Sequence, residues 1–342
     1  MRRLSGHFTC EKIALRVLSL ARQRAPIPFY IEPHVAPDFP AIRRDGPLFL
    51  TARFRSGSTL LWQAFERLDG FTAYYEPLNE RRWFDPVSRG EGTDETHRGV
   101  SEYHINYNGL EILSRYFTDE WTYRKLALGH SARESALFQY IKTLIEVAGS
   151  RPVLQFNRVD FRLPFLRKNF PGASIIHLER ASRDVWRSNL KGAANDPAWD
   201  LLSFDNISHF YLLPWYRDLV VSYPWMLQDG RKTHPYFIHH LIWRLSGLFA
   251  REWADGTVSY EALCADFMGT FGRLLGHTHS AQNDEKGTAI VPKVCPYNLS
   301  VLDGLMAPRQ SGYDHAADEA FYEDQEAAVE ELLRAHLPQR RS

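Results

Sequence analysis

Apolar and polar positions along this chain follow two rhythms that take turns. Residues 47–53 form a compact apolar run of strand length, as suits a strand buried on both faces. From residue 58 the apolar positions change spacing: Leu60, Leu61, Ala64, Phe65 and Leu68 fall on one helical face. The exchange then repeats. Residues 72–75 read as a second strand, ending at Glu76-Pro77, and residues 153–158 and 174–179 as two more. The last two are separated by the helical stretch 163–170 and the turn Pro171-Gly172, and residues 257–260 make a final short strand. Ser131 and Glu134 have the spacing of a capping box that opens a helix to about residue 148, where Gly149 stops it. Further helices are predicted from residue 183, through most of 200–254, over 260–275 and over 317–337. Strands alternating with helices give an α/β fold of three layers, a central parallel sheet flanked by helices. Ligands of such sheets bind beyond the carboxyl ends of the strands.

Residues 1–46 read as a lead-in, with a short basic amphipathic helix over 13–21 and a Pro-rich irregular stretch after it. Residues 47–342 read as one domain, with a loop-rich, aromatic insertion at about 80–135 and a helical tail at about 317–337. The run at 13–21 carries Arg16 and falls short of the roughly 20 apolar residues of a membrane span. Peripheral contact with a membrane surface is the alternative for that helix. Lysines plus arginines and aspartates plus glutamates both number 41, so no overall field draws in nucleic acid. An anion site in this chain must be local. Cys10, Cys264 and Cys295 are scattered and read as reduced thiols, which points to the cytoplasm. They have no metal-ligand spacing, and His239-His240, adjacent on a helix, fall on different faces.

The corner between the first strand and the first helix concentrates the chemistry. Arg53, Arg55, Ser56, Gly57, Ser58 and Thr59 occupy it. A helix N-terminus there offers unsatisfied amides with partial positive charge. Gly57 lets a backbone approach closely, the hydroxyls add donors, and Arg55 adds a planar fork. Together they suit a phosphate. The competing reading is an ordinary Ser/Thr helix cap. A nucleotide triphosphatase loop requires G-x-x-x-x-G-K-[ST], and Gly57 is not followed by Lys.

Arg-Ser-Gly-Ser-Thr-Leu-Leu-Trp, residues 55–62, resembles the phosphosulfate-binding loop of sulfotransferases. A second block, SIIHLERASRDVWRSNL at 174–190, resembles that family's strand ending in Arg with a Ser eight residues on; here these are Arg180 and Ser188. A third, TVSYEALCADFMGTFGRLLG at 257–276, is similar to the family's later strand and helix. The resemblance covers roughly 46–80, 150–192 and 240–277, and implies a P-loop-like nucleotide-hydrolase architecture and transfer of a sulfuryl group from 3′-phosphoadenylyl sulfate (PAPS), with no metal. It implies that Arg55, Ser56, Gly57, Ser58, Thr59 and Leu60 hold the 5′-phosphosulfate, that Arg180 and Ser188 grip the 3′-phosphate, and that Tyr260 lies near the adenine. The family's R-K-G-x-x-G segment has no counterpart, and Arg309 or Lys293 is a candidate substitute.

Such a transfer needs a base for the acceptor proton. The segment Tyr-Glu-Pro-Leu at 75–78 resembles the motif of carbohydrate sulfotransferases, which implies Glu76 as base and a carbohydrate or glycoconjugate hydroxyl as acceptor. The competing role for Glu76 is a structural ion pair with Arg81, Arg82 or Arg158. His177 is the rival base, although it falls inside a strand. Arg158, at the end of its strand, is a candidate sulfate ligand. Trp83, Trp121, Trp199, Trp215 and Trp225 suit a sugar-binding surface and suit a core equally well. The alternatives are the same chemistry on a lipid, phenol or peptide, a non-catalytic nucleotide-binding module, and an atypical kinase.

Overall fold

The computed structural model describes residues 42, 43, 45–90, 102–190, 193, 195–204, 211–276, 297–302, 305 and 319–337. Five strands run parallel in one sheet: β1 (Leu48–Ala52), β2 (Phe71–Tyr75), β3 (Arg151–Phe156), β4 (Ser174–Glu179) and β5 (Gly256–Ser259). Their spatial order is β2-β3-β1-β4-β5. β1, in the middle, is buried at every residue, which explains its largely apolar sequence. The helices are α1 (Ser58–Glu66), α2 (Ser135–Val147), α3 (Leu163–Asn169), α4 (Ser182–Asn189), α5 (Leu201–Phe204), α6 (Leu212–Ser222), α7 (Pro235–Trp253), α8 (Tyr260–Ala265), α9 (Phe267–Leu274) and α10 (Glu319–His336).

Register assigns each strand residue to a face, because paired residues of parallel neighbours point the same way. Tyr75 pairs with Gln155 and Gln155 with Leu50, and this face is covered by α1, whose Phe65 meets Phe71 at 5.1 Å and whose Trp62 meets Tyr75 at 5.1 Å. Thr51 pairs with Phe156 and His177 on the opposite face, which α7 covers. There Asp160, almost fully buried, accepts hydrogen bonds from Thr51 Oγ1 (2.6 Å) and from Ser246 Oγ of α7 (2.7 Å). Arg53 Nη1 lies 3.7 Å from the same carboxylate, with its guanidinium 4.5 Å above the Trp215 ring. One buried acid thus ties β1, the start of the corner and α7 together.

Two helix boundaries differ from the sequence expectation. The Ser131–Glu134 capping box does not form: α2 starts at Ser135 with no side-chain cap. Glu134 instead pairs with Lys125, nine residues away, at 3.4 Å, and this ion pair takes the carboxylate that the box needed. The helix expected over 260–275 is two helices, because Asp266 breaks the run and caps α9 through Gly269 N at 2.9 Å. The helix expected at 13–21, together with Cys10, Cys295, Lys293 and Arg309, lies outside the described residues. Among the described residues no helix is long and apolar enough to cross a membrane, and no group of three or more His, Cys, Asp or Glu is placed to hold a metal.

The tail helix α10 docks on α4 and α7 through ions. Arg183 pairs with Glu319 and Glu326, Arg244 with Glu330, and Tyr236 Oη donates to Glu326 at 2.5 Å. His239 and His240 sit under this contact and both reach Ser182, at its carbonyl (3.1 Å) and hydroxyl (2.9 Å). Burial pushes them down to about 3 and about 4. His240 faces Ser182, the Trp243 ring, Arg244 and, at 4.0 Å, Glu326. An unfolded chain takes up protons on these histidines as pH falls below about 6.5, while the folded chain does so only near 4 and 3. Their contribution to stability is therefore complete above pH 6.5 and is lost as pH falls toward 4. We expect His240→Asn to flatten the acid limb of unfolding free energy, measured by urea titration between pH 6.5 and 4. The limit is about 1.4 kcal/mol per pH unit for one proton. An unchanged slope would rule out His240 as a source of acid sensitivity.

Candidate functional site

Because every strand runs the same way, every strand delivers its following residues to one edge. β1 is followed by Arg53–Gly57, β2 by Glu76, β3 by Asn157 and Arg158, β4 by Arg180, and β5 by Tyr260. The chain leaves β1 toward β2 on one side of the sheet and leaves β4 toward β5 on the other. The crevice between β1 and β4 is thus the topological switch point, where open α/β sheets bind ligands.

The corner at that crevice is shaped by backbone conformation. Arg55 and Gly57 have positive φ, 65° and 87°, and Ser56 between them does not. Such alternation turns successive amides toward one side. Gly57 is the N-cap of α1, and no side chain caps the helix. Ser58 Oγ instead donates to Asn157 Oδ1 (3.1 Å), and Thr59 Oγ1 lies 3.2 Å from Tyr75 Oη. The ordinary-cap reading of these hydroxyls is therefore wrong: both face the sheet edge. Ser56 N donates to Arg53 O and Leu60 N to Gly57 O, so Leu60 offers no amide to a ligand. The amides of Gly57 and Ser58, between those two, have no partner among the described residues. Ser56 Oγ is buried without a hydrogen-bond partner. No acidic residue occupies the first turn, which leaves the positive end of the helix unneutralised.

Arg180 reaches this corner from across the crevice. Its Nη1 donates to Arg55 O (3.0 Å), and its guanidinium lies 4.9 Å above the Tyr260 ring. The surface pairing with Asp184 is not made, and among the described residues no carboxylate pairs with Arg180, whose Nε is buried without a hydrogen-bond partner. Arg55 Nε donates to Ser188 Oγ (3.0 Å). The loop after β1, the residue after β4 and the helix α4 are thus joined by the two arginines and the serine singled out in the sequence. Tyr260 joins them in an unexpected way. A Cβ on Gly57 would lie 2.3 Å from the Tyr260 ring. The close approach that Gly57 permits is made by this ring.

Glu76 opens the other half of the edge. It is buried and held at a positive φ of 37°. Its Oε1 accepts from Asn157 Nδ2 (2.5 Å), and its Oε2 accepts from Arg158 Nη1 (2.9 Å) and Asn79 Nδ2 (2.6 Å). Arg158 also donates to Glu80 at 2.6 Å. Burial alone would lower the Arg158 guanidinium, but Glu76 and Glu80 outweigh it and hold its pKa above the ordinary value. Of the three arginines weighed as partners of Glu76, the structure selects Arg158. His177 is elsewhere: it lies inside β4 on the α7 face, its Nδ1 4.0 Å from Glu179. Trp83, Trp121 and Trp215 are core residues.

Sequence reasoning missed Asn157, which links the two halves: it accepts from Ser58 and Gln155 and donates to Glu76. Glu80, Asn79 and Tyr211 were also missed; the Tyr211 ring lies 5.5 Å from the Arg158 guanidinium. The signal for Asn157 was available, since it follows a strand end just as Glu76 does.

No protein-family model matches the chain, and no curated protein matches it. Solved structures resemble it loosely, two sulfotransferases among them. One is a sulfotransferase from Alicyclobacillus acidocaldarius, at 14% identity and TM-score 0.35, covering 85% of this chain and 97% of that one. The other is the sulfotransferase domain of the Synechococcus PCC 7002 olefin synthase, at 17% identity and TM-score 0.35, covering 90% and 100%. What the corner can do follows from its own residues.

The Gly57–Tyr260 contact is testable by a double-mutant cycle. Gly57→Ala should cost more than the roughly 1–2 kcal/mol of a left-handed non-glycine residue, because the methyl group also displaces the ring. Tyr260→Ala should cost less in the Gly57→Ala background than in the wild type, read by chemical denaturation. Strict additivity would show that the contact does not constrain the corner.

Proposed function

We propose that this chain is a sulfotransferase that moves a sulfuryl group from PAPS to a hydroxyl of a carbohydrate or glycoconjugate. One observation carries this reading: Arg180, without a carboxylate partner among the described residues, stands at the switch-point crevice beside the uncapped N-terminus of α1. A cation and open amides at one point ask for an anion. The donor set suits a nucleotide with two separated anionic groups. The Gly57 and Ser58 amides with Arg55, Ser56 and Thr59 would hold the phosphosulfate, and Arg180 with Ser188 the 3′-phosphate. Tyr260, stacked under Arg180, would border the base. PAPS, when bound, supplies the sulfuryl group; the protein supplies alignment and charge. Arg55 is placed to neutralise negative charge that grows on the leaving phosphate.

Glu76 takes the acceptor proton in this proposal. Both of its oxygens are engaged, so it meets a hydroxyl by exchanging one donor, and Asn79, from the exposed side of the network, is the one to yield. Arg158 orients the carboxylate through its own pairing with Glu80 and lies close enough to the corner to add charge near the transferred group. His177, buried on the other face, fits a packing role better. The acceptor class rests on the likeness of residues 75–78 to carbohydrate sulfotransferases.

Two measurements test these roles. Calorimetric titration should show the desulfated product PAP binding far more tightly than ATP with magnesium, and Arg180→Ala should weaken PAP roughly ten- to hundredfold, the range of a charge-assisted hydrogen bond. Tight ATP binding with no PAP binding would replace the sulfotransferase reading with a kinase one. Glu76→Gln keeps the shape of the side chain and one acceptor oxygen, which can serve Arg158, and loses the acceptor that Asn157 uses; PAP, whose ligands lie at the β1–β4 crevice, should still bind, while kcat with labelled PAPS falls about 10²–10⁴-fold. An unchanged kcat would leave Glu76 as a structural residue.

A further inference from the structure

A cavity lies between α5, α6 and residues 227–231. It has a volume of about 360 Å³ and is lined by Leu201, Leu202, Leu213, Leu227 and Tyr216, with Arg217, Asp229 and Arg231 at its rim. Protein interiors rarely leave voids much larger than a water molecule, and small-molecule sites begin at roughly 300 Å³. The polar group inside is already engaged: Tyr216 Oη donates to Met226 O (3.2 Å) and accepts from Gln228 N (2.8 Å). The carbonyl of Gly230 likewise accepts from Leu201 N at 3.0 Å. The leucines thus give the cavity an apolar wall, while its charged groups, Arg217, Asp229 and Arg231, are on exposed residues. Leu202, 58% exposed, stands at its mouth.

Helix α6 connects this cavity to the candidate site. Tyr211, the N-cap of α6, lies over Phe54 and Arg158 at the sheet edge. Leu212 lines a small cavity together with Arg53 and Phe54. Leu213, Tyr216 and Arg217, on the adjoining face of the same helix, line the cavity. The path along the helix from Tyr211 to Tyr216 is about 8 Å at 1.5 Å per residue.

We propose that this cavity receives the aliphatic tail of an amphiphilic acceptor whose polar head lies at the edge near Glu76. The acceptor role rests on the sulfotransferase reading; the binding of an aliphatic chain does not. An acceptor of this kind is a glycolipid or alkyl glycoside rather than a free sugar or a polysaccharide.

The test uses the full chain and the homologous hexyl, heptyl and octyl β-glucosides below their micelle concentrations, titrated calorimetrically, with PAP titrated on the same samples. Gly230→Leu plugs the cavity. A Cβ there lies 3.6–4.0 Å from Leu201 and Leu202, an ordinary contact, so the backbone accepts it. Leu202→Gln, at the exposed mouth, alters the wall with no burden on folding. Affinity should rise about three- to fourfold per added methylene, and both variants should weaken the octyl compound at least tenfold and several-fold respectively, with PAP binding unchanged. No dependence on chain length, or wild-type octyl binding in both variants, would overturn the proposal. Chain-length dependence that the variants abolish, in a protein that does not bind PAP, would uphold the cavity and discard the sulfotransferase reading.

Discussion

The constraint on which this structure depends is the common direction of its five strands. Parallel strands require that each return path cross a face of the sheet, which buries both faces and fills the strands with apolar residues. The same requirement sends every strand end to one edge. Residues far apart in sequence, from Arg55 to Tyr260, meet there because the backbone topology leaves no other place for them. The order β2-β3-β1-β4-β5 then opens the crevice beside β1, and the first helix points its uncapped end into that region.

Polar groups along this edge divide into two networks with opposite chemistry. Beside β4, Arg55, Ser188, Arg180 and Tyr260 form a cationic group in which, among the described residues, no carboxylate joins Arg180. Beside β3 and β2, Glu76, Arg158, Asn157, Asn79 and Glu80 form a closed set of ion pairs and hydrogen bonds. The first asks for an anion from outside. The second holds a carboxylate in place and leaves little of it unused. Asn157, bonded to Ser58 of α1 and to Glu76, makes the two networks mechanically one. In the proposed function the first network would bind the donor and the second would activate the acceptor, and the amide that joins them would help align two substrates.

Much of this was legible in the sequence because its periodicities are local. The apolar run of β1 and the helical spacing after residue 58 need no tertiary knowledge, and the strand β4 was read to the residue. Arg55 was legible from its place at the corner between the first strand and the first helix, and Arg180 and Ser188 through the resemblance of residues 174–190 to the sulfotransferase pattern. What was not legible depends on tertiary partners. Whether Ser58 caps its own helix or turns to Asn157 is decided by a residue 99 positions away. Glu134 abandons its capping box for Lys125 in the insertion. Gly57 looked like a place for a ligand, and only the packing of β5 reveals that Tyr260 approaches it. The cavity beside α6 leaves no sequence signal at all, since leucines on a helix read as core.

The most direct measurement is a crystal structure of the chain with PAP. The account requires the 5′-phosphate at the N-terminus of α1, on the Gly57 and Ser58 amides, and the 3′-phosphate on Arg180 and Ser188. A nucleotide bound away from the β1–β4 crevice, or an Arg180 that keeps its present contacts while PAP occupies another surface, would contradict it.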